Sequence, residues 1–264
     1  MTLSVIVSTY NWKEALELCL LSLLCGTLLP HEIIVADDGS REDTAELVAS
    51  FKKTSPVPVV HIWQEDDGYR LARIRNKALS QAQGDYIVLL DGDVIVHPFF
   101  NRDQIAVARP GWFSQGSRIL LTEEKTAAVL ESKEIHFSFW ERGLGSHLKA
   151  IHSPCLSWLL SSRRGGLKGI RGCNLAFWRR DAFTINGFDE DYTGWGREDS
   201  DFAARLMHAG VKRQDVKARA FVYHLHHPPR TRTSLYRNDA LLRESLNERR
   251  TRCVNGLAGH VSET

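Results

Sequence analysis

The chain lacks any uninterrupted apolar run approaching the ~18 residues that a membrane-crossing helix needs, so a bilayer span is not expected. Its apolar opening, residues 3–7, is too short for a signal-peptide core and has no basic region before it, which argues against an export signal. Cysteine is sparse and odd in number: Cys19, Cys25, Cys155, Cys173 and Cys253 form no close metal-binding pair. Reduced, mostly buried thiols in a cytosolic protein are the expectation. Internal repeats are missing, as is any linker long enough to define an independent second domain. No serine, histidine and acid arrangement demands a covalent nucleophile, and the usual nucleic-acid recognition motifs are absent.

What is present has ordinary globular composition. With 264 residues, 43% hydrophobic and 25% charged, the chain can build one substantial core or two small ones, and extensive disorder is excluded. The formal net charge of +2 conceals segregation. Residues 1–101 carry 8 Lys+Arg against 14 Asp+Glu, residues 102–180 carry 13 against 6, residues 181–201 carry 1 against 7, and residues 202–264 carry 12 against 5. Two acidic centres therefore stand beside basic stretches, a pattern suited to a metal-centred site flanked by surfaces for an anionic substrate or membrane headgroups, or to solvated basic faces.

The first hundred residues alternate strand and helix. Residues 3–7 read as a buried strand ending in Ser8-Thr9-Tyr10-Asn11, and residues 12–25 place Ala15, Leu16, Cys19, Leu20, Leu23 and Leu24 at helical spacing. Residues 32–36 give a second strand that delivers Asp37, Asp38, Gly39 and Ser40. Ser40 with Asp43 predicts a helix start, and the helix follows over 44–53. Residues 57–63 give a third strand and 69–82 a third helix carrying Arg70, Arg73, Arg75 and Lys77, either a solvated basic face or one whose first turns approach a nucleotide. Such a series builds a parallel sheet by right-handed crossovers. Beyond Pro98 the pattern predicts a strand over 111–121, a helix over 123–132, loops and short helices over 136–170, and a short apolar stretch over 175–178. There follow a helix beginning at Asp199, a strand over 221–223 and a final amphipathic helix over 235–248.

Residues 84–94 organise the whole. Residues 86–90 form an apolar run without alternation, as in a strand buried on both faces, and it ends in Asp91-Gly92-Asp93. The glycine can turn the backbone so that both carboxylates face one bound species, which must be cationic unless the pair is only an Asp-Gly turn. Ligands of open parallel sheets bind beyond the carboxyl ends of the strands, where three polar clusters stand in this chain.

These residues resemble family 2 nucleotide-sugar glycosyltransferases of the GT-A fold. The N-terminal half has their Val-Ile-Val-Ser-Thr-Tyr-Asn opening, Asp37-Asp38-Gly39-Ser40 and Asp91-Gly92-Asp93. The second half is similar to β-1,4-galactosyltransferases and bacterial chondroitin-type polymerases through Gly187-Phe188-Asp189-Glu190 and residues 194–201, Gly-Trp-Gly-Arg-Glu-Asp-Ser-Asp. The resemblance implies an α/β fold with a single Rossmann-like open mixed sheet and helices on both faces. It implies a domain over 1–229, with a nucleotide-binding half over 1–101 and an acceptor or catalytic half over 102–229, and a C-terminal helical extension over 230–264 packed on it.

By matching position, Thr9, Tyr10 and Asp38 border the uridine pocket, with Asp37 a further partner of the base, and Arg70 and Arg73 contact the nucleotide. Asp93 is the expected ligand of Mn²⁺ or Mg²⁺ and Asp91 lies near the ribose and metal. His224 or His226 completes coordination, with His226 favoured among three neighbouring histidines; imidazole suits Mn²⁺ better than Mg²⁺. Asp199 is the implied general base, Glu198 an acceptor contact, Trp195 a stacking wall, and Gly172 and Asn174 neighbours of the donor sugar.

The implied activity is inverting transfer from a UDP-sugar to a saccharide or glycolipid hydroxyl in bacterial surface polysaccharide or lipopolysaccharide synthesis. A protein or small-molecule acceptor, or a non-catalytic nucleotide-sugar-binding protein, is the alternative. The expected location is cytoplasmic, with peripheral association at the inner membrane face. Trp140 and Trp158, in the basic block, either meet a sugar chain or fill an irregular core.

Overall fold

Unbroken apolar runs become central strands because both of their faces are covered. The computed structural model describes residues 1–163, 165–229 and 231–261. In chain order its elements are β1 (Leu3–Thr9), α1 (Lys13–Leu24), β2 (Glu32–Asp37), α2 (Glu42–Thr54), β3 (Val59–Trp63), α3 (Leu71–Gln81), β4 (Tyr86–Asp91), β5 (Val94–Val96), α4 (Phe100–Val107), β6 (Trp112–Gln115) and β7 (Arg118–Leu120). There follow α5 (Glu123–Ser132), α6 (Pro154–Leu160), β8 (Ser162–Arg163), β9 (Asn174–Trp178), α7 (Arg179–Thr184), α8 (Glu198–His208), β10 (Lys212–Asp215), β11 (Val222–His224) and α9 (Leu235–Asn247).

Among the described residues the main sheet has eight strands in the order β3-β2-β1-β4-β9-β6-β10-β8. The first four are parallel, β9 runs antiparallel to β4 and β6, and β10 is parallel to β6. Alternate residues of one strand enter different cores. Val5, Val7, Val35 and Val88 pack with Leu16 and Leu20 of α1 and Phe51 of α2, whereas Ile6, Ile34 and Leu89 pack with Ile74 of α3 and Phe202 of α8. Burying each such side chain contributes about 1.5–3 kcal/mol, and a one-residue slip of register would exchange the two cores.

Beside the expected open sheet lies a second, β5-β11-β7, whose Ile95, Ile119 and Tyr223 pack on Ala15 and Leu18 of α1. It exists because the predicted strand over 111–121 is two strands. At Gly116 the chain leaves the main sheet, and a Cβ there would fall inside the Asn174 carboxamide. Three further differences have local causes. Ser40 does not cap α2: its hydroxyl accepts the Asn11 N–H (2.8 Å), and the residue at the helix start is Arg41. α4 and β10 escape the apolar pattern because their buried residues include Asp103 and Arg213, each held by polar partners. All five cysteines are free, but only Cys19, Cys173 and Cys253 are buried.

Candidate active site

The parallel strands β1, β2 and β4 all release their chains at one edge. There Asp91 ends β4 beside Ser8 of β1, and the Gly92 N–H bonds the Ser8 carbonyl at 2.7 Å. A Cβ on Gly92 would stand 3.1 Å from that same oxygen, so the close return of the chain favours glycine. At the end of β2, Gly39 has φ +95° and no room for a side chain against Asp66. The Asp38 carboxylate accepts the Gln64 side-chain amide (2.6 Å) and the Arg70 N–H (3.0 Å), and burial raises its pKa.

Thr9, Tyr10, Asp38, Asp91 and Asp93 line a cleft lobe of about 410 Å³. A second lobe of about 480 Å³ is lined by Gly172, Glu198 and Asp199, and the two share Tyr69, Leu71, Asp91, Arg118, Trp195 and Arg232 as a common wall.

Asp93 faces two imidazoles. His224 Nε2 lies 3.6 Å from its Oδ1 and His227 Nε2 lies 3.4 Å from its Oδ2. In each ring the other nitrogen, Nδ1, meets a backbone carbonyl, Leu225 O at 2.9 Å and Pro228 O at 2.8 Å. A carbonyl only accepts, so Nδ1 carries the proton and Nε2 turns a lone pair toward the carboxylate. Asp93 Oδ1 is buried without a hydrogen-bond partner among the described residues. Two lone pairs and an orphaned carboxylate oxygen, with ligand atoms all within 4.8 Å of one another, match the donor set of a divalent cation. Contrary to the sequence expectation, His226 is outside this group: it is exposed, and its backbone N–H is fixed by Thr126 Oγ1 at 2.8 Å. β11 ends at His224, so beyond it the course of the chain, not strand alternation, brings His227 to Asp93, while His226 borders the first lobe without joining the cluster.

The second acidic cluster is tied to the first by Arg75. This fully buried guanidinium donates to Asp91 Oδ1 (3.1 Å), Glu198 Oε1 (3.4 Å) and Ser8 Oγ (3.2 Å). Glu198 begins α8; burial, then the neighbouring Asp199 charge, push its pKa up to about 7 against the opposing pull of Arg75. Asp199 is likewise raised by burial, and it is oriented by the Gly172 N–H (3.0 Å) and the Ser200 hydroxyl (3.2 Å). In the sequence Arg75 stands out only as one cation of a basic helix. The resemblance points to its neighbours Arg70 and Arg73, yet the Arg70 guanidinium bonds Asp67 and the Glu65 carbonyl, and Arg73 lines neither lobe.

Two other expected site residues turn inward. Asp37 is completely buried, accepting the Ser40 N–H (2.8 Å) and pairing with His61 (3.0 Å), so it shapes the turn that presents Asp38. Asn174 is also fully buried, donating to the Ala220 and Ser117 carbonyls, and joins the two sheets instead of touching the cleft. Trp195 is about one-third exposed, borders both lobes, and lies under the Arg232 guanidinium at 5.4 Å. Another His97, Asp103 and His152 cluster carries its own cation, because Arg219 bonds Asp103 at 2.8 Å.

Known proteins resemble this chain in sequence and in fold. The family model described as glycosyl transferase family 2 matches residues 4–152, and that described as the N-terminal domain of galactosyltransferase matches residues 160–228. The chain is 28% identical over 255 residues to a chondroitin synthase of Escherichia coli, covering 86% of this chain and 35% of that protein. It is 28% identical over 221 residues to a validoxylamine A glucosyltransferase of Streptomyces hygroscopicus subsp. limoneus, covering 79% of this chain and 48% of that one. A hyaluronan synthase of Pasteurella multocida is 26% identical over 231 residues, covering 79% and 23%. The chain thus spans less than half the length of each of these relatives.

Among solved structures, S. aureus TarS 1–349 in complex with UDP superposes with a TM-score of 0.63 at 18% identity, covering 98% of this chain and 68% of that one. The mannosyltransferase PcManGT from Pyrobaculum calidifontis, in complex with GDP-Man and Mn²⁺, superposes with a TM-score of 0.58 at 21% identity, covering 90% and 60%. At such identities the likeness is one of fold, the GT-A arrangement of nucleotide-sugar transferases.

Proposed function

Because the chain belongs to glycosyl transferase family 2, we propose that it transfers a sugar from a UDP-sugar to a saccharide or glycolipid hydroxyl, inverting the anomeric carbon in a metal-dependent step. The observation that carries the reading is the single cleft in which the two acidic motifs meet through Arg75. The catalytic domain is read as residues 1–229 with the C-terminal helical segment packed on it.

Thr9, Tyr10 and Asp38 hold the nucleoside in the first lobe, with Asp91 beside the ribose. Asp93, His224 and His227 would hold Mn²⁺ or Mg²⁺, which supplies positive charge against the departing diphosphate. Arg118 and Arg232, on the wall common to both lobes, add fixed cations there. Trp195 walls the donor sugar and Glu198 meets the acceptor. Asp199 takes the proton of the incoming hydroxyl; its oxygens are oriented by Gly172 and Ser200 and retain free lone pairs. One displacement with one base leaves inverted stereochemistry and needs no enzyme nucleophile. The relatives named for chondroitin and hyaluronan synthesis favour a surface polysaccharide or lipopolysaccharide as product. The relative named for validoxylamine A favours a small-molecule acceptor as the second reading.

The test is a panel of UDP-sugars incubated with and without Mn²⁺ and with candidate acceptors. Donor hydrolysis is expected to need Mn²⁺ and to fail in Asp93→Asn; equal hydrolysis by that variant overturns the metal assignment. Asp199→Asn is expected to lose roughly 10²–10⁴-fold in transfer while still binding UDP. Intact transfer by that variant removes Asp199 from the chemistry.

A further inference from the structure

Helix α6 is turned inside out. Of its seven residues the buried one is Ser157, whereas Leu156, Trp158, Leu159 and Leu160 are 38, 83, 69 and 47% exposed. The outward face is not a frayed end. The Ser153 hydroxyl accepts the Leu156 N–H, the Ser153 N–H bonds the Ala218 carbonyl at 2.9 Å, and Ser161 Oγ accepts the Lys217 N–H at 3.2 Å. The same run exposes Leu148 and Trp140, so neither tryptophan of this region fills a core. Apolar side chains held rigidly in water mark a docking surface.

Charge selects the occupant. Residues 142–180 contain eight Lys+Arg and no Asp or Glu, and the exposed Lys149 and Lys217 stand beside the apolar positions in sequence or by hydrogen bond. A second copy would set like charges together, and one seven-residue helix offers much less than the ~800 Å² per partner of a stable interface. We propose that α6 docks the protein on an anionic lipid surface, Trp158 and Leu159 entering the interface and the exposed Lys149 and Lys217 meeting phosphate headgroups. The loop that leads to α6 is pinned beside the cleft, since Gly145 N–H bonds the carbonyl of Leu120, a residue of the first lobe. Docking there would bring a lipid-linked acceptor to the site, a consequence that rests on the glycolipid reading above.

The full chain is sedimented with phosphatidylcholine vesicles containing or lacking phosphatidylglycerol, with UDP-sugar hydrolysis in solution measured in parallel. Binding is expected to anionic vesicles, to weaken several-fold in 0.5 M salt, and to fall roughly tenfold in Trp158→Ser/Leu159→Ser, whose hydrolysis is unchanged. Equal vesicle binding by that variant overturns the proposal, as does absence of wild-type binding in protein that hydrolyses donor. A dimer in analytical ultracentrifugation that the same variant dissociates also overturns it, in favour of self-association. Vesicle binding without hydrolysis would refute the transferase reading and leave this one standing.

Discussion

At the scale of the residue, the neighbourhood of Asp93 turns on which histidine a strand end presents. His224 and His227 each have Nδ1 fixed on a carbonyl and Nε2 free toward Asp93, while His226 borders the same lobe outside that cluster. Mn²⁺ is therefore expected to raise the melting temperature of wild type and of His226→Ala alike, and to lose most of that effect on His227→Ala. A cation at a hundred times its Kd stabilises by about 2.7 kcal/mol, enough for a clear thermal shift. A loss confined to His226→Ala would reverse the assignment.

The acid pair has its own signature. Burial raises both Glu198 and Asp199, and Asp199 must be ionised to accept a proton. A raised pKa means that the base is lost at higher pH than usual. Transfer is expected to fall on acidification along a limb lying above the ordinary carboxylate range of ~4. The pH profile of kcat/KM measures it, and a limb at the ordinary value would show that Asp199 is not the base.

Elements are set by where the chain can and cannot turn. Residues 111–121 carry enough apolar character for one strand, yet the chain makes two, β6 in the main sheet and β7 in the small one. Asn174 is the reason: its carboxamide occupies the space beside Gly116 and accepts from Gln104 while donating to both Ser117 and Ala220. Gly116→Ala is expected to cost about 1–3 kcal/mol by overpacking a side chain that has no free rotamer. Denaturant unfolding measures this, and an unchanged midpoint would mean that the junction yields freely. The same argument covers Gly172, where a Cβ would meet the Arg75 guanidinium.

The whole molecule joins parts that lie far apart in sequence. α9 reaches back over the glycine-flanked Trp195: Asn238 Nδ2 bonds the carbonyls of Thr193 (3.3 Å) and Gly196 (2.8 Å), and Asp239 pairs with Arg197. Asn238→Ala leaves both carbonyls without that donor, at about 1–3 kcal/mol of local stability. It is expected to raise the donor KM several-fold with little change in global unfolding. Unaltered KM would separate α9 from the site.

Unbroken apolar runs and the carboxylates at their ends are enough to define the parallel half and its polar edge with Asp91 and Asp93, because strand burial and helix periodicity leave a local trace, whereas Glu198 and Asp199 are singled out only by resemblance to family motifs. Arg75 left none: in a helix with Arg70, Arg73 and Lys77 every cation has the same local pattern, and only packing against Ser8, Asp91 and Glu198 makes one of them the bridge. The same holds for His227 over His226, for the inward turn of Asp37 and Asn174, and for the polar strand β10. Each depends on which distant partner satisfies a buried polar group, and that partner is fixed only when the chain has folded.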